Sequence, residues 1–126
     1  MQDLDFRNFV ETSKQKYFMI HHVICPALDF KKVYFDRSGF NHLLKKGRIA
    51  RSEEQQRRRL SLITESVDII STSISIKAYN KSDCKIPNAE FWSMEKVIGE
   101  RIVRVVVRKI GETGQTHFFS VMDKRL

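Results

Sequence analysis

Residues 101–122 constrain the fold more than any other stretch of the chain. They read Arg-Ile-Val-Arg-Val-Val-Val-Arg-Lys-Ile, then Gly-Glu-Thr-Gly-Gln, then Thr-His-Phe-Phe-Ser-Val-Met. Two runs rich in β-branched and aromatic residues around a glycine-containing turn predict a hairpin, 101–110 paired with 116–122. Along its first strand Val103, Val105 and Val107 point one way, and Arg104, Val106 and Arg108 the other. One face is suited to a core, and the other mixes arginines with apolar side chains.

Upstream, Leu4, Phe6, Phe9, Val10, Ser13 and Tyr17 recur at three- and four-residue intervals, which predicts a helix over 3–20. Pro26 ends it by disfavouring helical geometry at Cys25. Lys32-Val-Tyr-Phe35 reads as a short strand. The following Asp-Arg-Ser-Gly39 reads as a turn in which Asp36 or Ser38 caps a helix over 40–46, closed by Gly47. A longer helix starts after Ser52, whose spacing to Gln55 is that of a capping box. Leu60, Ile63 and Val67 continue it, while Arg57, Arg58 and Arg59 fan across the more exposed arc. From residue 69 the period changes to two: Ile70, Thr72, Ile74 and Ile76 alternate with Ser71, Ser73, Ser75 and Lys77, predicting a half-buried strand. Residues 79–90 form a polar connection. Glu90-Phe-Trp92 either starts a short strand or plugs the sheet with aromatic rings. This order predicts an α+β fold, with N-terminal helices packed on one face of an antiparallel sheet of about four strands. With 126 residues and 41% hydrophobic content, the chain suits a single domain, 1–126, with one core.

Twenty-three Lys and Arg against fifteen Asp and Glu give a net charge of +8, the balance of a protein that meets polyanions. The excess is local: residues 45–59 hold seven basic groups against Glu53 and Glu54, and residues 96–126 hold seven against three acids. Apolar runs fall far short of the roughly 20 residues that span a bilayer. The first twenty residues have no basic and apolar leader pattern. No membrane partner and a cytoplasmic location are therefore expected. Cys25 and Cys84 have neither disulfide-framework nor zinc-ligand spacing and read as buried free thiols.

Phosphate loops, His-Glu-x-x-His pairs and paired-carboxylate motifs are absent. Of the histidines, His42 lies beside the first basic segment, and His117 opens the last strand near Thr116 and Ser120. Such a set suits metal-independent cleavage of RNA. The 2′-hydroxyl attacks the adjacent phosphate while one group accepts its proton, another protonates the leaving 5′-oxygen, and cations stabilise the charged transition state. Histidine can play either proton role, and arginine forks match phosphate oxygens. Ser120 and Thr116 can add hydrogen bonds to the phosphate.

The string Lys32-Val-Tyr-Phe-Asp-Arg-Ser-Gly-Phe-Asn-His-Leu-Leu-Lys-Lys-Gly47, with Arg51, the segment Arg58-Arg-Leu-Ser-Leu-Ile63, Val105-Val-Val-Arg108 and His117-Phe-Phe-Ser-Val-Met122, resembles the phage-type branch of the barnase, EndoU, colicin and RelE-like nucleases. The resemblance covers roughly residues 30–122. It implies N-terminal helices before a four-stranded antiparallel sheet, and an RNA-cleaving site at His42, Arg51 or Arg58, Arg108, His117 and Ser120. The catalytic Glu of the barnase-like members has no clear counterpart, so the resemblance does not identify the base. The expected protein is a metal-independent endoribonuclease of phage or toxin type that yields a 2′,3′-cyclic phosphate and needs no cofactor. His42 and His117 share the acid and base work, Arg58 and Arg108 hold the phosphate, and Ser120 orients it. Lys45, Lys46, Arg48 and Arg51 track the flanking backbone of a tRNA or mRNA. An acidic immunity or antitoxin protein is a natural partner. Two other readings use the same basic surface: a non-catalytic nucleic-acid-binding module with Tyr79 and Trp92 as stacking platforms, and an adaptor that docks an acidic protein.

Overall fold

The computed structural model describes residues 4–82, 88–111 and 114–126. Helix α1 (Leu4–Ile20) buries Phe6, Ser13 and Tyr17 on one stripe and ends where His21 takes a left-handed φ of 63°. Strand β1 (His22–Cys25), a short 3-10 turn (Pro26–Leu28) and strand β2 (Lys31–Tyr34) follow. Helix α2 (Arg37–Leu44) is capped by Asp36, whose side chain accepts a hydrogen bond from the Gly39 N–H at 3.0 Å.

The expected continuation of α2 to residue 46 does not occur. Lys45 is extended, and Lys45–Lys46 (β3) pairs with Ile49–Ala50 (β4) as a small hairpin. Gly47, with φ of 64°, is the first residue of its two-residue turn, so it serves the hairpin and not the helix end. Helix α3 (Glu53–Leu60) begins as expected, with Ser52 accepting from the Gln55 N–H. It stops at Ser61, and α4 (Ile63–Thr72) takes over.

The strand expected from residue 69 is a second correction. Ile63, Ser66, Ile69 and Ile70 are buried on one helical stripe of α4, while Ile74 is 88% exposed. Serines between isoleucines satisfy a period of two as well as a helical one, and contact with the sheet selects the helix.

Strands β5 (Ala78–Ser82), β6 (Ala89–Ile98), β7 (Arg101–Ile110) and β8 (Thr116–Arg125) complete the chain. The sheet is six-stranded and mixed, in the order β1-β2-β8-β7-β6-β5, larger than the four antiparallel strands expected. The parallel step is β2 against β8, with Val33 opposite Thr116 and Tyr34 opposite His117. It joins the N-terminal half of the chain to its last strand. Two edge strands escape the sequence pattern because an edge needs little apolar alternation: β1 has four residues, and β5 is the polar Ala-Tyr-Asn-Lys-Ser. Glu90-Phe-Trp92 belongs to β6, and Trp92 packs against the core.

Val33, Met94, Val103, Val105, Val107, Phe118 and Val121 of the strands meet Tyr17, Phe40, Leu43, Leu60, Ile63, Ile69 and Ile70 of the helices in one cluster. The α+β class is therefore as expected. Cys25 is a buried free thiol in this core, and Cys84 lies outside the described residues. No helix among the described residues is long and apolar enough to cross a membrane.

Candidate active site on the open sheet face

Because Val105, Val107 and Phe118 turn to the core, their neighbours turn away from it. Phe91, Arg108 and His117 lie in register across β6, β7 and β8 on that opposite face. Between Val106 and Val107 the register slips, which leaves Phe119 as an extra residue of β8 between Phe118 and Ser120. A bulge re-aims a side chain. The Phe119 ring lies under the Arg108 guanidinium (4.6 Å), edge-on to Phe91 (5.4 Å) and stacked with the His42 imidazole (4.4 Å, planes 27° apart).

His42 reaches this face because α2 lies directly on β8. Gly39 permits the approach: a Cβ there would sit 2.5 Å from both the Phe118 carbonyl oxygen and the Tyr17 hydroxyl. The Arg51 Nε donates to the His42 carbonyl at 3.1 Å, which ties the chain after the β3–β4 hairpin back to α2. A helix C-terminus alone would favour an imidazolium. Burial outweighs it, helped by the charges of Arg51, Arg59 and Arg108, and draws the His42 pKa from 6.5 down to about 4. At neutral pH the imidazole is uncharged.

His117 has a different neighbour. Its Nδ1 is enclosed and lies 2.9 Å from Oδ2 of Asp36, within ion-pair distance but off the line of an ordinary hydrogen bond. Asp36 thus faces two ways, holding Gly39 with Oδ1 and facing His117 with Oδ2. A carboxylate at Nδ1 favours the tautomer that keeps the proton there.

The arginine triplet of α3 divides. Arg59 Nη1 donates to the Ser120 hydroxyl (3.3 Å) and the Val121 carbonyl (3.1 Å), and burial followed by the charges of Arg51 and Arg58 disfavours its charged form. Arg58 turns to Asp123 at 2.7 Å, and Arg101 binds the other oxygen of that carboxylate at 2.6 Å. Arg57 lies over the Phe6 and Phe9 rings of α1.

Of the residues expected in the site, His42, His117, Arg108 and Arg51 come together. Arg58 does not, being engaged by Asp123, and Arg59 takes its place although the sequence pattern put it on the exposed arc. Ser120 is 3% exposed and bonded to Arg59, so it holds the arginine and does not itself face a ligand. Thr116 is buried and lies on the side of β8 opposite His117. Lys45, Lys46 and Arg48 are exposed on the β3–β4 hairpin. Tyr79 donates to Glu90 at the β5 edge and Trp92 packs inward, so neither joins this face.

Asp36, Arg59 and Phe119 are the site residues that sequence reasoning missed. Only Arg59 left a signal: with Gln56, Leu60 and Ile63 it keeps helical spacing on the inward stripe. Asp36 and Phe119 depend on a parallel strand pairing and a bulge. Among the described residues, Arg51, Arg59 and Arg108 form no ion pair with a carboxylate. Such an arrangement can receive a phosphate and move protons on either side of it. No protein family, curated protein or solved structure matches this chain.

Proposed function

We propose that this protein is a metal-independent endoribonuclease, of the phage or toxin type that the sequence resemblance implies. The supporting observation is the convergence of Arg51, Arg59 and Arg108 on an uncharged His42, with His117 on the same face. Guanidiniums without a direct carboxylate contact can take an anion beside them, and a scissile phosphate is such an anion. His42 accepts the proton of the 2′-hydroxyl, whose oxygen attacks phosphorus. The bond to the 5′-oxygen breaks, and His117, facing Asp36, gives that oxygen a proton. The products are a 2′,3′-cyclic phosphate and a free 5′-hydroxyl. Arg108 and Arg59 stabilise the extra negative charge of the transition state, and Ser120 holds Arg59 in place. The substrate is RNA, since DNA lacks the attacking hydroxyl. An acidic immunity or antitoxin protein and a cytoplasmic setting fit this reading.

One observation favours a second reading. His42 is stacked on Phe119 and holds protons weakly, as a structural histidine in a non-catalytic nucleic-acid-binding surface would. Incubation of a mixed RNA with purified protein in EDTA separates the two. The enzyme reading expects cleavage with cyclic-phosphate ends, reduced roughly 10²- to 10⁴-fold in folded His42→Ala and His117→Ala variants. Binding without cleavage across many RNAs supports the module.

A further inference from the structure

Five strands each place one residue in a single line across the open face. His22 lies opposite Tyr34, Tyr34 opposite His117, His117 opposite Arg108, and Arg108 opposite Phe91. With strands about 4.8 Å apart the line runs roughly 19 Å from β1 to β6, long enough for a few extended nucleotides. Its two ends are aromatic and its middle holds the proton-transfer and phosphate groups of the proposed site.

The ring faces differ in availability. Phe119 is covered by His42 and Arg108. Tyr34 has only tilted neighbours, His22 at 5.8 Å and 53° and His117 at 6.2 Å and 47°, so no ring lies flat on it. Lys32, two residues before Tyr34 on β2, shares its face, is exposed, and with Tyr34 lines a shallow pocket. It supplies positive charge on the β2 side of His117.

We propose that this line is the track of a single-stranded RNA, and that the nucleotide flanking the scissile phosphate on the β1–β2 side stacks its base on Tyr34 while the Lys32 side supports its backbone phosphate. The proposal rests on the ribonuclease reading and adds the substrate's conformation and a base subsite. A duplex, whose bases are already stacked and paired, offers such a ring nothing, whereas an unpaired base offers its face.

The test uses fluorescence anisotropy with a 2′-O-methyl oligonucleotide, which cannot be cleaved, as a single strand and as a duplex. The single strand is expected to bind more tightly. Tyr34→Leu should weaken single-strand binding by about tenfold, and Tyr34→Phe, which keeps the ring, should restore it. Lys32→Ala should reduce the log–log salt dependence by about 0.7, the contribution of one phosphate contact on a single strand. Equal affinity for the duplex, or unchanged binding by folded Tyr34→Leu, would overturn the proposal. Cleavage by the wild type with Tyr34→Leu silent removes the subsite and leaves the enzyme reading intact. Tyr34-dependent binding without any cleavage does the reverse, and no binding of the single strand removes both.

Discussion

The two ends of the β7–β8 pair hold similar numbers of arginines nearby and treat them differently. Toward the end of β8, Asp123 receives both Arg58 and Arg101, and Glu95 lies 3.5 Å from Arg104. Around the bulge, Arg51, Arg59 and Arg108 crowd an uncharged His42, and their direct contacts are carbonyls, a hydroxyl and an aromatic ring, with Asp36 and Asp123 acting on Arg108 and Arg59 only from farther off. At the first end every arginine has a carboxylate in direct contact, two of them sharing Asp123, and there the charges serve the fold. At the second no arginine is in direct contact with a carboxylate among the described residues. A count of basic residues cannot separate these cases, because each arginine contributes the same formal charge and only its partner decides whether that charge is spent.

The contrast breaks most sharply if one arginine is removed from each end. Arg108→Ala is expected to slow RNA cleavage by about 10²- to 10³-fold, the loss typical of one charge-stabilising donor. Arg101→Ala should leave the rate nearly unchanged, because Arg101 acts on Asp123 alone. Equal losses in single-turnover assays would show that the two ends do not differ in function.

Gly39→Ala tests what holds the crowded end together. The added methyl meets the Phe118 carbonyl and the Tyr17 hydroxyl, so α2 must lift from β8. A loss of about 1–3 kcal/mol in urea unfolding is expected. In the residual folded protein, NMR contacts between His42 and Phe119 should weaken while those around Asp123 persist.

An effect of similar size is the pH dependence of stability. His42 titrates near 4 in the folded protein and near 6.5 when unfolded. Between those values the unfolded chain binds more protons, so stability falls as pH drops through this window. With allowance for solvent screening the loss is of the order of 2 kcal/mol. His42→Leu should flatten the slope of stability against pH between 6.5 and 4. Asp123, whose pKa its arginine partners hold down against the opposing effect of burial, acts only at lower pH, so the two regions titrate in separate windows.

The elements read well from the sequence are those whose signal is local. The β7–β8 hairpin, α1, the Asp36 cap and the Ser52 cap follow from short-range pattern and backbone hydrogen-bond chemistry. The misread ones are decided at a distance. Ile69 and Ile70 are helical because a helical stripe meets the sheet there, and β5 is a strand because β6 supplies a partner for its polar residues. The same division holds in the site: His42, His117, Arg51 and Arg108 could be selected by residue type and neighbourhood. Arg58 and Arg59 are adjacent in sequence and have opposite fates, set by which carboxylate or hydroxyl each can reach.

The sequence by itself determined the α+β class, a basic chain with its charge in two segments, and a histidine beside each of those segments. Only the tertiary structure decided which of those cations are in direct contact with a carboxylate. The parallel pairing of β2 with β8 carries Asp36 to His117, the bulge turns Phe119 toward His42, and Gly39 lets α2 close on the sheet. Each of these depends on contacts between residues far apart in the chain, and no local pattern of side chains encodes them.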